Sequence, residues 1–174
     1  MNTETVVAVC AVVIAVASFV VSVFEVRATR QHNRHAVRPI LQLHHGWPPG
    51  GTAGVRLTNV GLGPAVVTRT VLSLDGQVIG AWNRRDVDAL RDGLPVRPDA
   101  VTFGEREVIP TAHAQYLLSV DGYDPRAHAG LRELVEHRLT LEVRYESLYG
   151  GEDFDVTLRP GGDPPGRRAG VTGR

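Results

Sequence analysis

The hydrophobic pattern of this chain has two regimes. Thr5–Phe24 is an apolar run of 20 residues without a charge, nine of them Val. At ~1.5 Å per residue, a helix of that length covers ~30 Å, the hydrocarbon thickness of a bilayer. Val is a mediocre helix former in water, but in lipid an unpaired backbone amide costs far more than that preference. The run is therefore expected as a transmembrane helix over 5–24, with residues 1–4 as a short extracytoplasmic amino terminus. Met1-Asn2-Thr3-Glu4 is acidic rather than basic, and the one small-residue cleavage pattern, Ala15-Val16-Ala17, lies inside the run. Both features favour an uncleaved anchor over a signal peptide. Residues 25–37 extend the pattern as a basic juxtamembrane helix, which Pro39 stops by lacking an amide donor and pushing Arg38 toward extended backbone.

Beyond Pro39 the period falls to two. Leu41 and Leu43 alternate with Gln42 and His44, Val55 and Leu57 with Arg56 and Thr58, and Val67, Arg69 and Val71 with Thr68 and Thr70. These stretches read as strands. Asp75-Gly76, between Leu74 and Val78, predicts a tight hairpin. Trp82–Gly93 breaks the alternation: Asn83 caps a short helix that turns Val87 and Leu90 inward and ends at Gly93. Strand character returns around Val101 and Phe103, at Val108–Ile109, and in Tyr116, Leu118 and Val120. A second helix is expected from Asp124 or Pro125 to His137, and a closing hairpin from Leu139–Glu146 and Asp153–Arg159. Residues 160–174 are mostly Gly, Pro and Arg, with little to bury, and are expected as a disordered tail. Seven or eight strands with two short helices define the expected fold: mainly β, an antiparallel β-sandwich of immunoglobulin-like architecture over 38–159, behind the transmembrane helix.

Charge orients the anchor. No Arg precedes the span, whereas Arg27, Arg30, Arg34 and Arg38 follow it. Positive residues near a span stay on the cytoplasmic side, so the β-domain is expected in the cytoplasm of a single-pass cell-membrane protein. Arg27, Arg30 and Arg34 share one helix side by spacing, and are expected to contact anionic headgroups of the bilayer. Ala8, Ala11, Ala15, Ser18 and Ser22 recur at alternating spacings of 3 and 4, a small-residue stripe that predicts self-association or a partner helix within the membrane. Residues 39–159 hold 12 Arg against 16 acidic residues, a balance that argues against nucleic acid as a partner.

Leu57-Thr58-Asn59-Val60-Gly61-Leu62-Gly63-Pro64-Ala65, together with the span, the Arg-rich collar and Arg38-Pro39, resembles uncharacterised bacterial single-pass membrane proteins. The likeness covers roughly the first half of the chain. It implies an anchored β-domain and supplies no catalytic residue. Read physically, Asn59, Gly61, Gly63 and Pro64 form a structural turn: the glycines are free to take positive φ, Pro64 fixes its own, and the Asn59 side chain caps nearby amides. The stretch lacks the glycine spacing of a phosphate-binding loop.

Chemistry is thinly signalled. The single Cys10 lies inside the span, and there is no G-x-S-x-G. His44-His45, Glu133 with His137, His113 and His128 are possible metal ligands, yet their spacing is sparser than metal sites use. No catalytic, cofactor or metal residue is assigned. Trp47-Pro48-Pro49, Tyr145 and Tyr149 are expected as exposed aromatic surface for a protein partner. The leading expectation is thus a membrane-anchored interaction or scaffold module, not an enzyme. The alternative is a tethered ligand sensor or hydrolase that gathers His44, His113 or Glu133 in a pocket.

Overall fold

Among the described residues the period-two pattern resolves into nine strands in two antiparallel sheets. A computed structural model describes residue 2 and residues 12–25 and 38–161. The chain divides into two units, Met1–Val37 and Arg38–Arg174.

In the first unit, residues 12–25 are helical (α1). Val12, Ile14, Phe19 and Phe24 are all well exposed, so apolar side chains stand uncovered on every side of this helix. Among the described residues no helix is long and apolar enough to cross a membrane. The start of the expected span, with Ala8 and Ala11, lies outside the described residues, as do Arg27, Arg30, Arg34 and residues 162–174.

In the second unit, the first sheet has the order β1 (Leu41–Gly46), β2 (Ala53–Asn59), β7 (Ala114–Val120) and β5 (Asp99–Ala100). The second runs β4 (Gln77–Gly80), β3 (Ala65–Leu74), β8 (Leu139–Ser147) and β9 (Phe154–Leu158), and β6 (Val108–Ile109) also pairs with β3. One buried cluster draws on both sheets: Leu43, Val55 and Leu57 from the first, Leu72, Leu141 and Val143 from the second. Each such side chain contributes roughly 1.5–3 kcal/mol by leaving water. Trp82 joins this cluster almost wholly buried.

The expected turns form for the reasons their residues suggest. Asp75 and Gly76 sit at φ 51° and 80°, the left-handed pair that a two-residue hairpin requires. Helix α2 (Arg84–Asp92) starts at Asn83, whose Oδ1 accepts the Asp86 N–H at 3.0 Å, and buries Val87 and Leu90 before Gly93.

Three expectations need correction here. The strand around Val101 and Phe103 shrinks to Asp99–Ala100, because Trp82 draws the following residues aside: its indole N–H donates to the Val101 carbonyl at 2.8 Å, and its carbonyl accepts from Phe103 N–H at 3.2 Å. The second helix begins late, at Ala129 (α3, Ala129–Glu133), because the Asp124 carboxylate accepts the Arg126 and Ala127 amides and holds a turn there instead. It then widens into a π-turn over Leu134–Arg138, closed by Leu139 N–H onto the Leu134 carbonyl. That five-residue step brings buried Leu134 and Leu139 to one side. Tyr145 is buried, with its hydroxyl accepting the Leu41 N–H at 3.2 Å, and Trp47 packs on Tyr123 with ring centres 5.4 Å apart. Of the expected aromatic surface, Tyr149 is exposed and Trp47 is half-buried beside exposed Pro48 and Pro49.

Candidate functional site

An open cleft of the β-domain arises where one edge strand is broken in two. Strand β3 pairs with β8 along its whole length. On its other side, Ala65 and Val66 pair with β6, and Leu72, Ser73 and Leu74 pair with β4. Between them Val67–Val71 has, among the described residues, no neighbouring strand on that side; Thr68 is a bulge in the pairing with β8, and the Val67 N–H is taken by the Glu107 carbonyl at 2.8 Å. The chain leaves this edge after Gly80 and returns to it at Glu107.

Local chemistry enforces the departure. A Cβ on Gly80 would collide with the Asp86 carboxylate. That carboxylate accepts the Ala81 N–H at 2.9 Å and the Asn83 side-chain amide at 2.9 Å, so β4 ends where α2 is capped. These two bonds, the Ala81 amide first, hold the Asp86 carboxyl below the usual carboxylate range. The Trp82 N–H then donates to Thr70 Oγ1 at 2.8 Å, which fixes the indole beneath the gap. At the far end Arg106 adopts φ 51° and reaches Glu146 at 2.6 Å.

What remains is a cleft of about 600 Å³ whose lining includes Arg69, Val71, Val78, Trp82, Phe103 and Arg106. Val78 is 69% exposed on the flanking strand. Arg69 lies opposite Arg144 in the β3–β8 register, and Arg144 is paired with Glu142 at 2.7 Å. Among the described residues no carboxylate lies within ion-pair distance of Arg69. Like charges directly opposed across two strands are unfavourable. Glu105 also lines the cleft and Glu142 stands opposite Val71, yet neither forms an ion pair with Arg69. A second cleft, about 480 Å³, lies between α2 and the π-turn and is lined mainly by Ile79, Leu90, Leu94, Pro95 and Leu134, with Glu133 at its wall.

Among the described residues no histidine lines either cleft. His44 bonds Gln42, His113 bonds Gln115, and His128 accepts the Asp124 N–H at 3.0 Å. Exposed His137 stands 3.8 Å from Glu133, one helical turn away. Among the described residues no group of three or more His, Cys, Asp or Glu is arranged to hold a metal.

Asn59 is fully buried and ties three segments together. Its Oδ1 accepts from Gly61 N–H at 3.0 Å and Ile40 N–H at 3.3 Å; its Nδ2 donates to the carbonyls of Gly63 at 2.8 Å and of Ile109 and Pro110 at 3.2 Å each. Gly61 and Gly63 do not take positive φ, which corrects the sequence expectation. Gly61 is needed for close approach instead: a Cβ there would strike the backbone of Arg38, Pro39 and Ile40. Residues 61–63 bend ahead of Pro64, with every polar group of the Asn59 side chain turned inward. Of the stripe on α1, Ala15, Ser18 and Ser22 are exposed, and the Ser22 hydroxyl donates to the Ser18 carbonyl at 3.0 Å within its own helix.

Comparison with protein families, curated proteins and solved structures returns no match. Sequence reasoning missed Arg69, Val78, Trp82 and Phe103 as neighbours. The available signal was the break in alternation at Trp82; the return of the chain to the same edge through Glu107 leaves no local mark.

Proposed function

We propose that this protein is a single-pass, membrane-anchored interaction module whose β-domain, a sandwich of immunoglobulin-like architecture, binds another protein at the cytoplasmic face. The observation that carries this reading is the interrupted edge of β3, an open cleft of mixed apolar and polar lining in which, among the described residues, Arg69 has no carboxylate within ion-pair distance. Exposed sheet edges are templates for pairing, and clefts of this size with a few polar groups are common binding sites. The distribution of His44, His113, His128 and His137 over separate positions favours a binding module over a hydrolase or a histidine-based sensor. The anchor rests on the 20-residue apolar run and on α1, whose apolar side chains are exposed all round, a pattern suited to lipid. Arg27, Arg30 and Arg34 would meet headgroups on the cytoplasmic side, and the stripe from Ala8 to Ser22 would allow pairing of two anchors.

The test is site-specific photocrosslinking of the full chain in native membranes, with the photoreactive residue at Val78 in one variant and Tyr149 in another, followed by mass spectrometry. A reproducible protein adduct from either site is the expected result. Absence of any adduct from both sites, in membranes where the protein is intact, would overturn the interaction reading.

A further inference from the structure

We infer that the occupant of the β3 gap is a short extended segment of a partner protein, which adds as a strand between β4 and β6 and places an acidic side chain against Arg69. This rests on the interaction-module reading and specifies its partner. Thr68 is a bulge in β3 and the Val67 N–H is already taken by Glu107, so the regular free edge is Arg69–Val71, ~10 Å at ~3.4 Å per residue. It admits a strand of about three residues; a helix spends its amides on its own carbonyls and has none to exchange with this edge. Both flanking strands run antiparallel to β3, so a segment continuing their line runs the same way.

Main-chain parity gives the register. Leu74 and Gln77 flank the two-residue hairpin and face each other. Every second residue turns its N–H and C=O to the same side, so Leu72 and then Thr70 present theirs toward the β4 side, and at Thr70 that side is open. The added strand thus exchanges its central pair of hydrogen bonds with Thr70. Side chains alternate, so Arg69 and Val71 project from one face, and Val78, opposite Ser73, extends that face. A residue opposite Val71 is apolar, as it lies beside Val78. The next, opposite Thr70, points at Trp82 and Phe103 and is small. The third, opposite Arg69, is acidic, because Arg69 faces Arg144 and, among the described residues, no carboxylate, Glu105 of the same cleft included, lies within ion-pair distance of it. Running antiparallel, the recognised order is apolar, small, acidic. Recognition by strand addition works this way, with main-chain bonds giving affinity and alternate pockets giving specificity.

The experiment titrates a blocked, fluorescent pentapeptide, Thr-Val-Ala-Glu-Thr, against the full chain in lipid nanodiscs. Saturable binding is expected, weakened at least ~10-fold by N-methylation of the alanine, which removes the hydrogen bond to Thr70. Exchanging the glutamate for lysine is expected to weaken it about fivefold, and Arg69→Glu to reverse that preference. Arg69 is exposed, so this variant tests charge without a folding defect. No binding up to ~1 mM, or equal binding of the N-methylated peptide, would overturn the inference. Crosslinking from Tyr149 but not from Val78 would likewise remove the strand-addition site while leaving the interaction module standing.

Discussion

Replacing Asn59 by Ala tests the join between β2, the segment before β1 and the end of β6. The side chain is fully buried and serves two amides and three carbonyls. Its removal strands the buried Gly61 N–H, at a cost of ~1–3 kcal/mol for one unsatisfied group. The carbonyls of Gly63, Ile109 and Pro110 each lose a donor, a smaller penalty because a carbonyl has a second lone pair. Ile40 is 44% exposed, and water can replace its lost bond. Together the loss is about 3 kcal/mol, against a total stability of roughly 5–15 kcal/mol for an ordinary domain. With a urea slope of about 2 kcal/mol/M, the unfolding midpoint drops by ~1.5 M, a shift that the fluorescence of buried Trp82 reports. N59D should cost as much or more at pH 7, since a carboxylate there faces three carbonyl oxygens. A midpoint shift below ~0.3 M for Asn59→Ala would refute the role given to this side chain.

Three further outcomes are expected. Gly61→Ala should cost more than about 2 kcal/mol in the same urea assay, because its Cβ meets backbone atoms that cannot move aside; a neutral result would remove the close-approach explanation. Leu57→Ala, at a fully buried position shared by the two-sheet cluster, should cost ~2–5 kcal/mol by calorimetry. The third concerns acid. The Arg138 side-chain hydrogen bond lowers the Asp75 carboxyl below 3.8, the Ala81 amide does the same for Asp86, and the Ala127 amide for Asp124. Carboxyls depressed in the folded state contribute stability that is present above the unfolded value near 3.8 and lost as pH falls through their folded values. The urea midpoint should therefore hold from pH 7 to about 5 and fall below about 4, and D75N should flatten that decline; an unchanged acid profile in D75N would contradict the assignment.

Much of the β-domain was legible because its determinants are local. Asp75-Gly76 carries the left-handed turn in its own residues, and Asn83 caps the start of α2 with its own side chain; Gly93 ends the helix at φ −80°, without the left-handed cap that glycine allows. Leu139–Ser147 alternates without a lapse, burying Leu139, Leu141, Val143 and Tyr145. The failures share a non-local cause. Tyr145 reads as an outward aromatic until Leu41 N–H is found beside its hydroxyl, 104 residues away in sequence. Gly61 reads as a positive-φ glycine until Arg38–Ile40 packs against it. The π-turn at Leu134–Arg138 has no distinguishing composition; it follows from the need to carry Leu134 and Leu139 to one core. The cleft beside β3 was the least legible feature, since it depends on two chain segments, after Gly80 and before Val108, reaching the same edge without meeting.

Location tests the whole reading most directly, because a tethered partner-binding domain requires both an anchor and an inward orientation. A fluorescent protein that matures only in the cytoplasm, fused after Arg174, is followed through alkaline carbonate extraction of cell membranes. Retention of bright fusion protein in the washed membrane fraction is the predicted result. Release into the supernatant, or an intact but dark fusion in the membrane, would contradict it.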